Sequence, residues 1–218
     1  MLDLDRLRVS LPDGQILVGP VSLSAGPGQI VTIMGPSGIG KSTLLDAVGG
    51  HLAAGLRAGG DVRLDGRALL SLPAEARGVG LVAQDPALFP HLSVGQNLAF
   101  ALPRSPARQA MIAETLTKAG LPGFETRDPA TLSGGQRARV ALIRSLLARP
   151  RALLLDEPFS RLDAALRAEM RAFTFDQLRA AGIPALLVTH DPADAEAAGG
   201  PILQLSSGSA EFPSHLIG

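Results

Sequence analysis

Cysteine is missing from this 218-residue chain, and so are tyrosine and tryptophan. Without thiols there is no disulfide framework, no thiolate metal site and no cysteine nucleophile. A surplus of either charge is missing too, since 20 Lys and Arg balance 20 Asp and Glu. A nucleic-acid binder normally carries extra base to neutralise phosphates. A disordered chain combines high net charge with low hydrophobicity. Neither description suits a neutral chain that is 46% hydrophobic. Long apolar runs are lacking as well: Ile30–Met34 and Ala152–Leu155 are strand-sized, far below the roughly 18 residues of a membrane span. The opening Met1-Leu2-Asp3-Leu4-Asp5 places acid where a signal peptide carries base. The expectation is a soluble cytoplasmic protein that reaches any membrane through a partner. Lysine is scarce, present only at Lys41 and Lys118, so Lys41 invites a physical reason.

What is present is a set of short strands around a helical block. Leu2, Leu4, Leu7 and Val9 alternate, with one slip near Arg6. Pro12-Asp13-Gly14 marks a turn, and Ile16–Val18 and Val21–Ala25 read as two short strands. Ile30–Met34 is nearly all apolar and rich in β-branched residues, the pattern of a strand buried on both faces. A glycine-rich loop and a helix over Ser42–Val48 follow, then strands at Asp61–Leu64 and Leu81–Ala83. From 86 to 150 the pattern turns helical, most clearly in Arg108–Ala119 and Arg137–Ala148. Ala152–Leu155 and Ala185–Thr189 return to buried strands, with a helix over Ala164–Ala181 between them. After Asp191 the Ala- and Gly-rich composition gives no clear period. The expected fold is α/β, a single domain over 1–218 with a mainly parallel sheet. Residues 1–85 and 151–218 would form the core with a small antiparallel β subdomain, and 86–150 an inserted helical subdomain.

Gly35-Pro36-Ser37-Gly38-Ile39-Gly40-Lys41-Ser42 fits the spacing G-x-x-x-x-G-K-[ST], with Thr43 next. Glycines let backbone N–H groups turn inward as an anion nest. Lys41 can reach β- and γ-phosphates, Ser42 can place its hydroxyl on Mg²⁺, and the following helix points its positive end at the phosphates. Ala152–Leu155 ends in Asp156 and Glu157. Asp156 can hold Mg²⁺ as in a Walker-B strand, and Glu157 can orient or deprotonate an attacking water. Leu132-Ser133-Gly134-Gly135-Gln136 opens a helix, with Ser133 as a natural N-cap. A chain with one phosphate loop needs no second phosphate-binding helix for its own nucleotide.

With these motifs the sequence resembles the ATP-binding cassette family, the ATPase subunits of ABC transporters, along nearly its whole length. The resemblance also covers a Q-loop glutamine at Gln84, a D-loop at Ser160-Arg161-Leu162-Asp163 and a switch histidine at His190. It implies a P-loop NTPase core, ATP and Mg²⁺ as ligands, and a head-to-tail homodimer. Ser133, Gly134, Gly135 and Gln136 would then meet the ATP of the opposite copy. Glu157 would be the general base, His190 the γ-phosphate sensor, and Gln84 a contact to Mg²⁺ or water. Gln84 read as a surface amide, His190 as a core histidine and Asp163 as a helix cap are the plainer alternatives. The stretch from Gln84 to Val94 is similar to importer ATPases serving polyamines, thiamine, sulfate, molybdate, iron or sugars. It implies permease subunits as partners, a solute-binding protein indirectly, no nucleic acid, and a place on the inner face of the cell membrane. Leu88-Phe89-Pro90 would dock the permease or, equally, pack in the core. An exporter ATPase and a soluble cassette acting on DNA or ribosomes are the alternatives. The regulatory domain that follows the cassette in sugar importers is expected to be absent.

Some positions depart from the family pattern: Ile39 stands at a small or polar position, Arg161 at a small one, and Gly199-Gly200 where relatives carry Asp-Arg. Relatives also stack an aromatic on the adenine about two dozen residues before the first loop glycine. That position falls in Ser10-Leu11-Pro12-Asp13, and no Phe precedes Phe89.

Overall fold

Alternation in the first 25 residues and unbroken apolar runs later produce two different sheets. The computed structural model describes residues 1–85, 88–206 and 209–211, the last three as backbone only. In chain order the elements are β1 (Leu2–Ser10), β2 (Ile16–Ala25), β3 (Ile30–Met34), α1 (Lys41–Gly49), β4 (Arg57–Leu64), β5 (Arg67–Ala68), β6 (Val79–Val82), α2 (Val94–Phe100), α3 (Arg108–Lys118), α4 (Gly134–Leu147), β7 (Ala152–Asp156), α5 (Ala164–Ala180), β8 (Ala185–Val188), α6 (Pro192–Ala198), β9 (Ile202–Ser206) and β10 (Ser209–Glu211).

The antiparallel sheet has the order β2-β1-β4-β5. The slip near Arg6 is a bulge: pairing of β1 with β4 jumps between Asp5 and Arg8, and Arg6 has a φ of 47°. The two short runs expected at 16–18 and 21–25 are one strand, β2, with its register against β1 broken between Leu7 and Val9. Pro20 has no N–H to donate to the ladder, and it falls in that break. The strand expected at Asp61–Leu64 also begins earlier, at Arg57.

The second sheet has the order β10-β9-β3-β8-β7-β6 and is parallel except for β10. Residues 152–155 and 185–188 are buried throughout, because helices cover both faces of a parallel sheet. One hydrophobic core joins the antiparallel sheet, α1 and one face of the parallel sheet. A second lies beneath α5 on the other face. A third is built from α2, α3 and α4, with Leu121 and Leu132. Each fully buried leucine contributes about 1.5–3 kcal/mol, so the helical block has a core of its own.

The tail that gave no clear period is set by a close approach. Gly199 ends α6 with a φ of 64°, and a Cβ on Gly200 would lie 1.9 Å from the Ile30 carbonyl oxygen. Only glycine lets the chain turn there and enter β9 beside β3. The departure at Gly199-Gly200 is therefore a packing requirement of this chain.

Candidate active site

The parallel sheet brings distant motifs to one edge. The phosphate loop follows β3, and Gln84, Glu157 and His190 follow β6, β7 and β8. Because the strand order is β3-β8-β7-β6, all four loops leave the carboxyl ends of neighbouring strands, where open α/β sheets bind ligands.

Within the loop, glycine is needed for space as well as for conformation. A Cβ on Gly35 would lie 2.7 Å from the Leu205 carbonyl oxygen, and one on Gly40 would lie 2.7 Å from Val18 Cβ at a φ of 95°. Gly40 is the N-cap of α1 and offers no side-chain cap. The first-turn N–H groups of α1 thus remain directed at the loop, where they favour an anion. Lys41 is buried, and its Nζ donates to the carbonyls of Gly35 at 2.7 Å and Pro36 at 2.9 Å. Ser37, Gly38, Gly40, Lys41, Ser42, Thr43, Gln84, Glu157 and His190 line one cleft of about 460 Å³. Gly35, Pro36, Ile39 and Asp156 are not on its wall. Ile39 packs against the first core instead.

Asp156 ends β7 close enough to the Ser42 side chain to feel it. Burial pushes its carboxyl pKa up; the Ser42 hydroxyl and Lys41 pull it down, while Glu157 and Asp46 push it up. A hydroxyl beside a carboxylate, close to the loop, is the sparse set of hard oxygen donors by which proteins hold Mg²⁺ together with substrate phosphates. The amide oxygen of Gln84, on the same cleft, is a further donor of that kind. These residues fit the ion.

Glu157 occupies the left-handed region, at a φ of 45°. Its N–H donates to the Val188 carbonyl at 2.9 Å, and its carbonyl accepts from Ser160 Oγ at 2.9 Å. Held in this strained conformation, its carboxylate meets His190 Nδ1 at 3.1 Å through Oε1 and accepts from Gln84 Nε2 at 3.3 Å through Oε2. A carboxylate only accepts, so in this contact Nδ1 carries the proton and Nε2 faces away from Glu157. His190 is exposed rather than in the core. Gln84 is exposed too, yet it is tied to the carboxylate.

Residues 133–136 line no part of this cleft. Ser133 and Gln136 form a reciprocal capping box: Ser133 Oγ accepts from Gln136 N at 3.2 Å, and Gln136 Oε1 accepts from Ser133 N at 3.0 Å. No atom would lie within 4 Å of a Cβ on Gly134, whereas one on Gly135 would sit 3.1 Å from Leu162. Asp163 caps α5, accepting from Leu166 N at 3.0 Å.

Leu88 packs against the third core, while Phe89 lies 5.0 Å from the ring of Phe100, which is 73% exposed. Pro86 and Ala87 lie outside the described residues. Sequence reasoning missed Asn97. It is fully buried, exchanges bonds with both backbone groups of Phe89, and accepts from Arg144 on α4 at 3.2 Å. It also missed the ion pair between Arg161 and Asp85 at 3.1 Å, which ties the D-loop to the residue after Gln84. Neither has a local sequence signal, because the partners are distant in the chain. A cavity of about 490 Å³ between α3, α4 and α5 has mostly apolar walls and shares no residue with the cleft.

A family model described as ABC transporter matches residues 18–160. The chain is 48% identical over 200 residues to the uncharacterized ABC transporter ATP-binding protein YnjD of Escherichia coli (strain K12), covering 90% of this chain and 92% of that one. It is 44% identical over 211 residues to the Fe(3+) ions import ATP-binding protein FbpC 3 of Rhodococcus jostii (strain RHA1), covering 95% of this chain and 60% of that longer protein. In three dimensions it is similar to the ATP-binding cassette MJ0796, solved as a dimer in a post-hydrolysis state bound to ADP and Pi. That match has a TM-score of 0.81 and 28% identity, and it covers 97% of this chain and 98% of that one.

Proposed function

We propose, for a chain that belongs to the ABC transporter family, that it binds and hydrolyses ATP as the motor subunit of a bacterial importer. The observation that carries this is Glu157, whose carboxylate is on the cleft wall between His190 and Gln84, across from the phosphate loop. Backbone N–H groups of 37–42, at the loop and the start of α1, hold the polyphosphate. Lys41 exchanges the carbonyls of Gly35 and Pro36 for phosphate oxygens, so its ammonium has oxygen acceptors in both states. Ser42, Asp156 and Gln84 would hold Mg²⁺, which when bound neutralises charge on the β- and γ-phosphates. Glu157 orients the attacking water and accepts its proton. His190 commits Nδ1 to Glu157 and turns its Nε2 edge to the γ-phosphate.

Ser133, Gly134 and Gly135 act in trans, on the ATP of a second copy in a head-to-tail homodimer. Gln136 serves by fixing Ser133. Residues 86–150 form the helical subdomain, and the rest forms the core with its β subdomain. The aromatic face of Phe89 and Phe100 takes a helix of a permease subunit, which places the chain at the inner face of the cell membrane. A solute-binding protein acts only through the permease. FbpC 3, named for import, favours this reading over export or a soluble role on nucleic acid. Glu157→Gln tests it: turnover drops about 10²–10⁴-fold, nucleotide binding persists, and an ATP-bound dimer accumulates on sizing. Turnover near wild type would remove Glu157 from catalysis.

A further inference from the structure

The segment that carries His190 out of β8 is gripped from behind by polar groups that no step above uses. Thr189 is buried, and its hydroxyl donates to Asp194 Oδ2 at 2.7 Å while accepting from the N–H of Asp191 at 3.1 Å. One hydroxyl on the residue before His190 is thus bonded to the residue after it. Asp194, on α6, is 3% exposed. Its Oδ1 lies 2.6 Å from Arg171 Nε on α5. Neither of those two atoms has an aligned hydrogen-bond partner among the described residues, so this contact is an attraction of charges and does not fix direction as a hydrogen bond does. Arg167 and Arg171, neighbours on α5, also reach Asp191 Oδ2 at 2.9 and 3.6 Å. Two carboxylates and two guanidiniums leave the cluster neutral.

Joining α5 to α6 needs no such cluster. A buried ion pair is weak evidence for stability, and apolar residues of similar volume often do as well or better. What this cluster supplies is placement. The His190 side chain is 63% exposed, yet it must keep Nδ1 within reach of Glu157. An exposed ring gets little restraint from packing, so its position depends on the backbone on either side of it. The Thr189 hydroxyl and the Asp194 carboxylate fix that backbone.

We propose that Thr189 and Asp194 are positioning residues that hold His190 against Glu157, acting on ATP hydrolysis through the imidazole and not through the nucleotide. This rests on the roles given above to Glu157 and His190. Neither Thr189 nor Asp194 lines the cleft.

The test measures kcat, KM and Tm of the whole chain with ATP, reading slow variants by single-turnover phosphate release. Thr189→Val removes the hydroxyl at nearly constant volume, and Thr189→Ser keeps it. Thr189→Val is expected to lower kcat about tenfold with KM within about twofold, Thr189→Ser to retain turnover, and Thr189→Val to cost nothing further in a His190→Ala background. Asp194→Asn, close in shape, is expected to show the same pattern and serves if Thr189→Val does not fold. An undiminished loss in the His190→Ala background, an equal loss with Thr189→Ser, or no loss at all overturns the inference. Wild-type turnover by His190→Ala overturns the role of His190 and this inference with it. A crippled His190→Ala beside an unaffected Thr189→Val overturns the inference alone.

Discussion

Asp156 ends β7 with its charge partly withdrawn from water, and burial is the main reason its pKa is raised. An acid whose pKa is higher folded than unfolded binds its proton more tightly when folded. Its ionised form therefore costs stability at neutral pH, and that cost fades as pH falls through the raised pKa. Asp156→Asn is expected to raise Tm of the nucleotide-free protein at pH 7, with the gain over wild type shrinking toward acid pH; melting curves across that range check the sign. The same substitution removes the ionised oxygen donor for Mg²⁺ and is expected to lower turnover about a hundredfold or more. The base of the nucleotide is a second matter for single residues. Leu11 closes a turn onto Gln15, Ile16 and Leu17 are exposed, and Val18 packs beside Gly40 of the phosphate loop. Among the described residues the face next to the loop is aliphatic and offers no ring to stack on a base. Contacts to the triphosphate are blind to the base, so ATP and GTP should bind within about tenfold of each other, or about 1.4 kcal/mol. Competition binding decides it, and a preference for ATP beyond about a hundredfold would count against this account.

Elements differ in how far they announce themselves. β3 and β7 were legible because their apolar runs stop abruptly at a motif, Gly35 after one and Asp156-Glu157 closing the other. α4 was legible because Ser133 caps it and one face repeats through Val140, Ile143 and Leu147. β2 was misread as two strands because its continuity depends on pairing with β1, which no local pattern encodes. The tail was unreadable for the same reason: α6 and β9 are placed by the contact of Gly200 with Ile30, 170 positions away in the chain. The Thr189–Asp194–Arg171 cluster and the Asn97 hub are likewise polar groups whose meaning lies in partners on other elements. Gly200→Ala is the check at this scale. With a Cβ 1.9 Å from a backbone oxygen, β9 must shift, and the expected loss is about 3 kcal/mol or more. That corresponds to a fall in Tm of about 10 °C, read by calorimetry.

Across the whole molecule, the Leu132–Gln136 motif and the phosphate loop pack on different cores, and the capped end of α4 lines no part of the cleft. Ser133→Arg is therefore expected to leave nucleotide affinity of the monomer within about twofold while abolishing the ATP-dependent dimer on sizing. Loss of monomer binding would contradict action in trans. Among the described residues no helix is long and apolar enough to cross a membrane. The sheet edge has a mechanical consequence. Gln84, Glu157 and His190 stand one or two residues beyond β6, β7 and β8, and neighbouring strands keep a fixed spacing of about 4.8 Å. Tethers that short leave almost no slack. The edge works as an anvil, built to an invariant gauge, on which the three side chains are set without play.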